Sequence, residues 1–229
     1  MCEYPIHFVE IEYIYNQTIA AGYRTIAVTS ASNGEGKTSL VKALAKRAQL
    51  SEKKVLIVEL NTFNPELSAK LREQCNKGST SIIAMQDQGY SLLPAPHDFR
   101  EIMRYKETKI LLEGITNWLI EYDCVLFDTS ALQSLNQSNI PPETVCEVCE
   151  GTILITEAGK TPVSFIEEGL KKLKNKKVNL IGSVINDKVN PSLLSEVIRE
   201  THRFNRLFPK AMTRLRAWLH SIVLLNVSV

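Results

Sequence analysis

The sequence contains no run of about 18 consecutive apolar residues, so it offers no helix able to span a bilayer. Its first ten residues carry two glutamates and lack a basic start leading into an apolar core, so no secretory signal is read there. Both absences set the expectation of a cytoplasmic chain. Charge of one sign is also scarce: 27 Lys and Arg against 25 Asp and Glu leave a net charge of +2, too little to argue for a nucleic-acid partner. Cysteines number five, an odd count that speaks against a disulfide framework. Cys146 and Cys149 form a C-x-x-C, which is half a zinc site or a redox pair, but no second close Cys/His pair completes a zinc set. They alternate with Val145 and Val148 just before an apolar strand and read best as small buried hydrophobes. No internal repeat or low-complexity linker interrupts the chain.

What is present is the pattern of a layered α/β domain. The 229 residues, 44% hydrophobic and 23% charged, suffice for one large core. Runs rich in β-branched residues recur at 25–29 (TIAVT), 55–58 (VLIV), 124–127 (CVLF), 152–156 (TILIT) and 180–185 (LIGSVI), with a weaker one at 90–93 (YSLL). They alternate little between apolar and polar, as strands buried on both faces of a parallel sheet do. Helical periodicity fills the intervals at 38–50, 108–121 and 165–173. Strand–helix alternation predicts βαβ units and a doubly wound, mostly parallel sheet. The expected organisation is a nucleotide-binding domain over residues 1–190, N-terminal helix included, and a helical C-terminal extension over 191–229.

Ala31-Ser-Asn-Gly-Glu-Gly-Lys-Thr38 fits the phosphate-binding pattern A-x-x-x-x-G-K-T, directly after one predicted strand and directly before a predicted helix. Gly34 and Gly36 let backbone N–H groups turn inward around phosphate oxygens. Lys37 can reach the β- and γ-phosphates, the Thr38 hydroxyl can meet Mg²⁺, and the helix that starts there presents its positive end to an anion. The whole loop with its flank (Asn33, Gly34, Glu35, Gly36, Lys37, Thr38 and Ser39) is the candidate cradle for ATP. Such a loop needs a carboxylate at the end of a buried strand to hold the metal, and Asp128 ends the CVLF run. Lys37, Glu59, Asp128 and Asn186 all fall at C-terminal strand ends, where open α/β sheets bind ligands.

These residues resemble the P-loop of bacterial tyrosine kinases, the BY-kinases that work with polysaccharide co-polymerases in capsule and exopolysaccharide export. Further segments match that family in order: 55–67 (VLIVELNTFNPEL) for its second acidic Walker motif, 122–129 (YDCVLFDT) for its Walker B, then 151–160 (GTILITEAGK) and 181–187 (IGSVIND). The resemblance covers roughly residues 10–187 and implies a P-loop NTPase fold with ATP and Mg²⁺. It makes Lys37, Glu59 and Asp128 the catalytic set, Glu59 orienting the nucleophile, Thr38 and Asp128 the metal ligands, and Asn186 the adenine contact with Asp187 assisting. It also implies a membrane polysaccharide co-polymerase as partner, a homo-oligomer, and residence at the inner face of the cytoplasmic membrane. The wider relatives, ParA/MinD ATPases, carry an extra lysine early in the loop, where this chain has Ser32 and Asn33.

The chain also departs from the family. Asn61 stands where the second acid of that motif belongs, and Phe63 where a basic residue belongs. No acid lies between Thr129 and Pro142, and no tyrosine follows Tyr122, so the C-terminal tyrosine cluster is missing. The N-terminal motif E-x-x-R-x-x-R is not kept: Glu12 is followed at those spacings by Tyr15 and Thr18. Two alternatives therefore stand beside the kinase: a ParA/MinD-like switch ATPase, and a regulatory subunit that only binds nucleotide. Residues 210–225 read as a basic amphipathic helix bearing Trp218, suited to a membrane surface, a partner, or the protein's own sheet. The lysine-rich run 171–177 reads as a solvated helix end.

Overall fold

Seven strands form one sheet in the order β3-β4-β2-β5-β1-β6-β7. The strands are β1 Thr25–Ser30, β2 Val55–Glu59, β3 Ile83–Met85, β4 Tyr90–Leu93, β5 Cys124–Asp128, β6 Gly151–Glu157 and β7 Leu180–Asn186. The helices are α1 Val9–Gln17, α2 Lys37–Gln49, α3 Glu66–Arg72, α4 Phe99–Tyr105, α5 Thr108–Glu121, α6 Pro142–Val148 and α7 Val163–Asn175. A computed structural model describes residues 4–72, 81–134 and 139–187. The expected extension 191–229, with its amphipathic helix, lies outside the described residues. All pairings are parallel except β3 with β4, so the expected doubly wound, mostly parallel sheet is what the chain forms.

Alternate residues of each central strand serve opposite faces, as the period of two requires. Ile57 and Leu126 pack with Leu40, Leu44 and Tyr15 from α1 and α2. Val58 and Phe127 pack with Leu111, Ile115 and Cys146 from α5 and α6. The central strand β1 lies between β5 and β6. The chain crosses to β2 on one side of it and later to β6 on the other. The loop after β1 therefore opens at the point where strand order diverges, the place ligands occupy in such sheets.

Three differences from the sequence expectations have physical causes. Strand β3 was not foreseen. It is a three-residue edge strand joined to β4 by a single 3-10 turn, with Gly89 at φ 72° closing it, and so short a run has no readable period. Strand β7 was expected to be buried on both faces. It is the outer strand of the sheet and largely exposed, with Ile185 70% accessible. Helices α3, α4 and α6 span only seven residues each, too few for an amphipathic stripe to stand out.

Cys146 lies inside α6 and Cys149 caps it, both buried in the core as the sequence suggested. Burial pushes the Cys146 thiol up to about 12, and the Cys149 thiol well up too. Thiols held protonated in this way are unreactive as nucleophiles or ligands.

Helix α1 is fastened to α2 by Arg47, whose Nη2 donates to Glu12 Oε1 at 2.8 Å while its guanidinium lies 4.2 Å from the Tyr15 ring centroid. The hydrogen bond from Arg47 holds the Glu12 carboxyl below its ordinary range. Glu12 and Tyr15 thus serve packing within the chain.

If the two-faced sheet is the core, truncating one of its inner residues should cost far more than truncating an exposed one. Leu126→Ala should lower unfolding free energy by about 2–5 kcal/mol in urea titrations, whereas Ile120→Ala, at a residue 79% exposed on α5, should stay within about 0.5 kcal/mol of wild type. Equal losses in the two variants would contradict the assignment of the core.

Candidate functional site

The loop between β1 and α2 is held in shape before any ligand arrives. Gly34 and Gly36 sit at φ 81° and 99°, a region that disfavours side chains. Gly36 has a second reason to be glycine: a Cβ there would come within 2.5 Å of the Tyr4 hydroxyl and 2.9 Å of Asn186 Nδ2. The Glu35 carboxylate, almost wholly buried, accepts from Ser32 N at 3.1 Å and from the Thr161 hydroxyl. The Glu35 carbonyl accepts from Asn186 Nδ2 at 3.0 Å. Asn33 Oδ1 accepts from Ser134 Oγ at 3.0 Å. The turn after β6 and the end of β7 therefore brace the loop from one side. Ser39 follows in the first turn of α2, and Asp187, the residue after β7, is exposed.

Lys37 and Thr38 open α2 and are buried. Lys37 Nζ donates to Ser30 Oγ at 2.7 Å, and Ser30 Oγ in turn donates to Ser32 O at 2.6 Å. Burial pulls the Lys37 ammonium below its ordinary value, against the charges of Asp128, Glu35 and Glu66. Thr38 Oγ1 donates to Asp128 Oδ2 at 2.7 Å, joining the start of α2 to the end of β5. Asp128 is wholly buried. Burial pushes its carboxyl up to about 7, opposed by Lys37 and the Thr38 hydroxyl and aided by Glu59 and Glu66.

Asp128 Oδ1 has no hydrogen-bond partner. An orphaned buried carboxylate oxygen costs free energy unless something satisfies it, and a hard cation suits such an oxygen beside a threonine hydroxyl. The residues present therefore fit Mg²⁺. Among the described residues no three His, Cys, Asp or Glu stand together as a metal cage. A nucleotide-bound Mg²⁺ needs none, because phosphate oxygens and water fill most of its shell.

Glu59 lies beside Asp128 in register across β2 and β5, as its strand-end position implied. Its carboxylate is already employed: Oε1 accepts from Leu67 N at 2.7 Å and Oε2 from Ser68 N at 2.9 Å, tying the start of α3 to β2. Burial raises its carboxyl above the ordinary value. Sequence reading did not single out Ser30, Thr161, Tyr4 or Glu66. The first two bond directly to the loop's own side chains, Tyr4 stands over Gly36, and Glu66 acts through its charge. Only Glu66, an acid directly after Pro65 in the segment following β2, carried a usable signal.

A carboxyl that holds its proton more tightly in the folded than in the unfolded chain makes stability fall as pH rises. For Asp128 the window runs from the ordinary value of 3.8 to about 7, and Glu59 shifts in the same direction. The contribution is fully present below the window and lost above it. Without nucleotide or magnesium, the protein should lose roughly 1–4 kcal/mol of unfolding free energy across that window. Asp128→Asn should flatten the decline in denaturant titrations. An equally steep decline in the variant would show that Asp128 does not hold its proton more tightly in the folded chain.

No family model matches the chain. Tyrosine-protein kinase YwqD of Bacillus subtilis (strain 168) is 23% identical over 183 residues, covering 72% of this chain and 73% of that protein. Tyrosine-protein kinase CpsD of Streptococcus agalactiae serotype III is 22% identical over 182 residues, covering 74% and 76%. Among solved structures, the chimerical protein CapA2B2 superposes with a TM-score of 0.64 at 16% identity, covering 77% of this chain and 82% of that one. The kinase domain of Escherichia coli tyrosine kinase ETK gives 0.59 at 16% identity, covering 74% and 70%. The septum site-determining protein MinD of Pyrococcus horikoshii OT3, complexed with Mg-ADP, gives 0.57 at 22% identity, covering 73% and 72%. The structural likenesses establish the P-loop NTPase fold that these proteins share. By sequence and by fold together, this chain is similar to the bacterial tyrosine kinases.

Proposed function

We propose that the chain binds ATP with Mg²⁺ at the β1–α2 loop and acts as a phosphate-handling P-loop ATPase of the bacterial tyrosine kinase kind. The observation that carries this reading is the buried pair Thr38–Asp128, with one carboxylate oxygen left unsatisfied beside a buried lysine. The N–H groups of Gly34 to Ser39 cradle the phosphates, Lys37 exchanges Ser30 for the β/γ-phosphates, and Thr38 and Asp128 hold the metal. Bound Mg²⁺ supplies charge neutralisation between the phosphates. In this reading Asn186 is the adenine contact, with Asp187 assisting, while Asn33 and Glu35 keep the loop's shape. Glu59 acts by positioning: with both oxygens on α3, it fixes the segment next to Asp128.

The acceptor is the open chemical question. No tyrosine lies among residues 123–229, which favours another protein or water as the acceptor in this reading; water as acceptor would make the chain a switch ATPase of the MinD kind. The setting this reading implies is polysaccharide export at the inner face of the cytoplasmic membrane, with a membrane co-polymerase and further copies of the chain as partners and no nucleic acid. This reading places the chain peripherally on that membrane; among the described residues no helix is long and apolar enough to cross one.

The test is to incubate the pure protein with labelled ATP and Mg²⁺ and follow free phosphate and phosphotyrosine separately by mass spectrometry. Lys37→Ala serves as the control; it should lose about 1.5–3 kcal/mol of ATP binding, a tenfold or greater drop in affinity. Phosphate release that depends on Lys37 supports the ATPase, and phosphotyrosine on an added protein supports the kinase. Equal ATP binding by wild type and variant would refute the cradle.

A further inference from the structure

Among the described residues, the proposed metal centre has one carboxylate free to meet a cation, Asp128. Glu59 has both oxygens on backbone N–H groups. Asn61, the other buried polar side chain just past β2, is uncharged and closes its own turn: Nδ2 donates to Asn64 O at 3.1 Å, and Oδ1 accepts from Asn64 N at 3.3 Å. The remaining acid of this segment is Glu66, the first residue of α3.

Glu66 is fixed from two directions. Asn64 Nδ2 donates to its Oε1 at 3.1 Å. The next two backbone N–H groups, those of Leu67 and Ser68, are gripped by Glu59, which pairs in register with Asp128. The first turn of α3 is thereby anchored at the strand ends that carry the site. The charge of Glu66 acts on both Lys37 and Asp128, the groups proposed above to meet the phosphates and the metal. The independent pointer to a cation is the unsatisfied Oδ1 of wholly buried Asp128. One hydrogen bond from Asn64 leaves a carboxylate most of its acceptor capacity, and protein-bound Mg²⁺ keeps several waters in its shell that need acceptors.

We propose that Glu66 is the second carboxylate of the magnesium–nucleotide centre, receiving hydrogen bonds from metal-bound water at the first turn of α3. It is a positioning residue for the metal, and the inference rests on the reading of the site as a magnesium–nucleotide centre. Its role explains how a segment with a neutral Asn61 still presents two acids to the cation.

The experiment is a fluorescence titration of the full chain with mant-ADP, once with a chelator and once with excess Mg²⁺. Wild type, Glu66→Gln and Glu66→Asp are compared. Wild type should bind more tightly with Mg²⁺. Glu66→Gln should bind at least as tightly as wild type under chelator, because a negative charge near Lys37 is gone, which also reports an intact fold, and should lose about 10–100-fold of the Mg²⁺-dependent tightening, as loss of acceptors behind metal ligands typically does. Glu66→Asp, retaining the charge on a shorter arm, should fall between. A wild type that does not tighten with Mg²⁺ would overturn the metal–nucleotide reading itself. Undiminished tightening in both variants would overturn this inference alone. So would equal losses with and without Mg²⁺, because those would mark Glu66 as a prop for the loop.

Discussion

The hydrogen bond from Thr38 to Asp128 joins the two halves of the proposed chemistry, the phosphate loop ahead of α2 and the acid at the end of β5. It can form because β5 runs parallel beside β1, with Asp128, the last residue of β5, opposite Val28, two residues before β1 ends and the loop begins. The carboxylate is dry, and its other oxygen has no donor. Lys37 meanwhile is folded back onto Ser30. A buried acid with its proton affinity raised and a buried lysine with its proton affinity lowered are both short of counter-charge. Nucleotide and Mg²⁺ together bring opposite charges to each, which is why their arrival should be cooperative.

A second layer of contacts keeps the loop in its shape. Glu35 turns its carboxylate inward to Ser32 and Thr161, and Asn186 holds its carbonyl. Glu157, the β6 partner of Asn186 in register, receives Lys160 at 2.7 Å, closing the turn that presents Thr161. A loop fixed in this way spends little conformational entropy on binding. Glu59 performs the corresponding task on the other flank by fastening α3.

The cradle was legible in the sequence because its chemistry is local: glycines, lysine and threonine within eight residues, between an apolar run and a helical one. The central strands were legible for a similar reason, since β-branched runs such as VLIV and TILIT have few alternative conformations. What was not legible depends on pairings distant in sequence or on very short elements. The accessibility of β7 follows from its place at the edge, which no property of LIGSVI encodes. Glu59 ended a buried strand as expected, but its employment by Leu67 and Ser68 arises from a seven-residue helix that has no periodicity to reveal it. The same helix places Glu66. Thr161 and Tyr4 reach the loop only through tertiary contacts.

In the proposed reading, Asp128 and Thr38 form a metal centre completed by nucleotide. Electron paramagnetic resonance with Mn²⁺ in place of Mg²⁺ tests it most directly. ADP should convert free Mn²⁺ into a protein-bound signal coupled to nucleotide phosphorus, and Asp128→Asn should abolish that conversion. Mn²⁺ bound equally well without ADP, or unchanged in the Asp128→Asn variant, would contradict it.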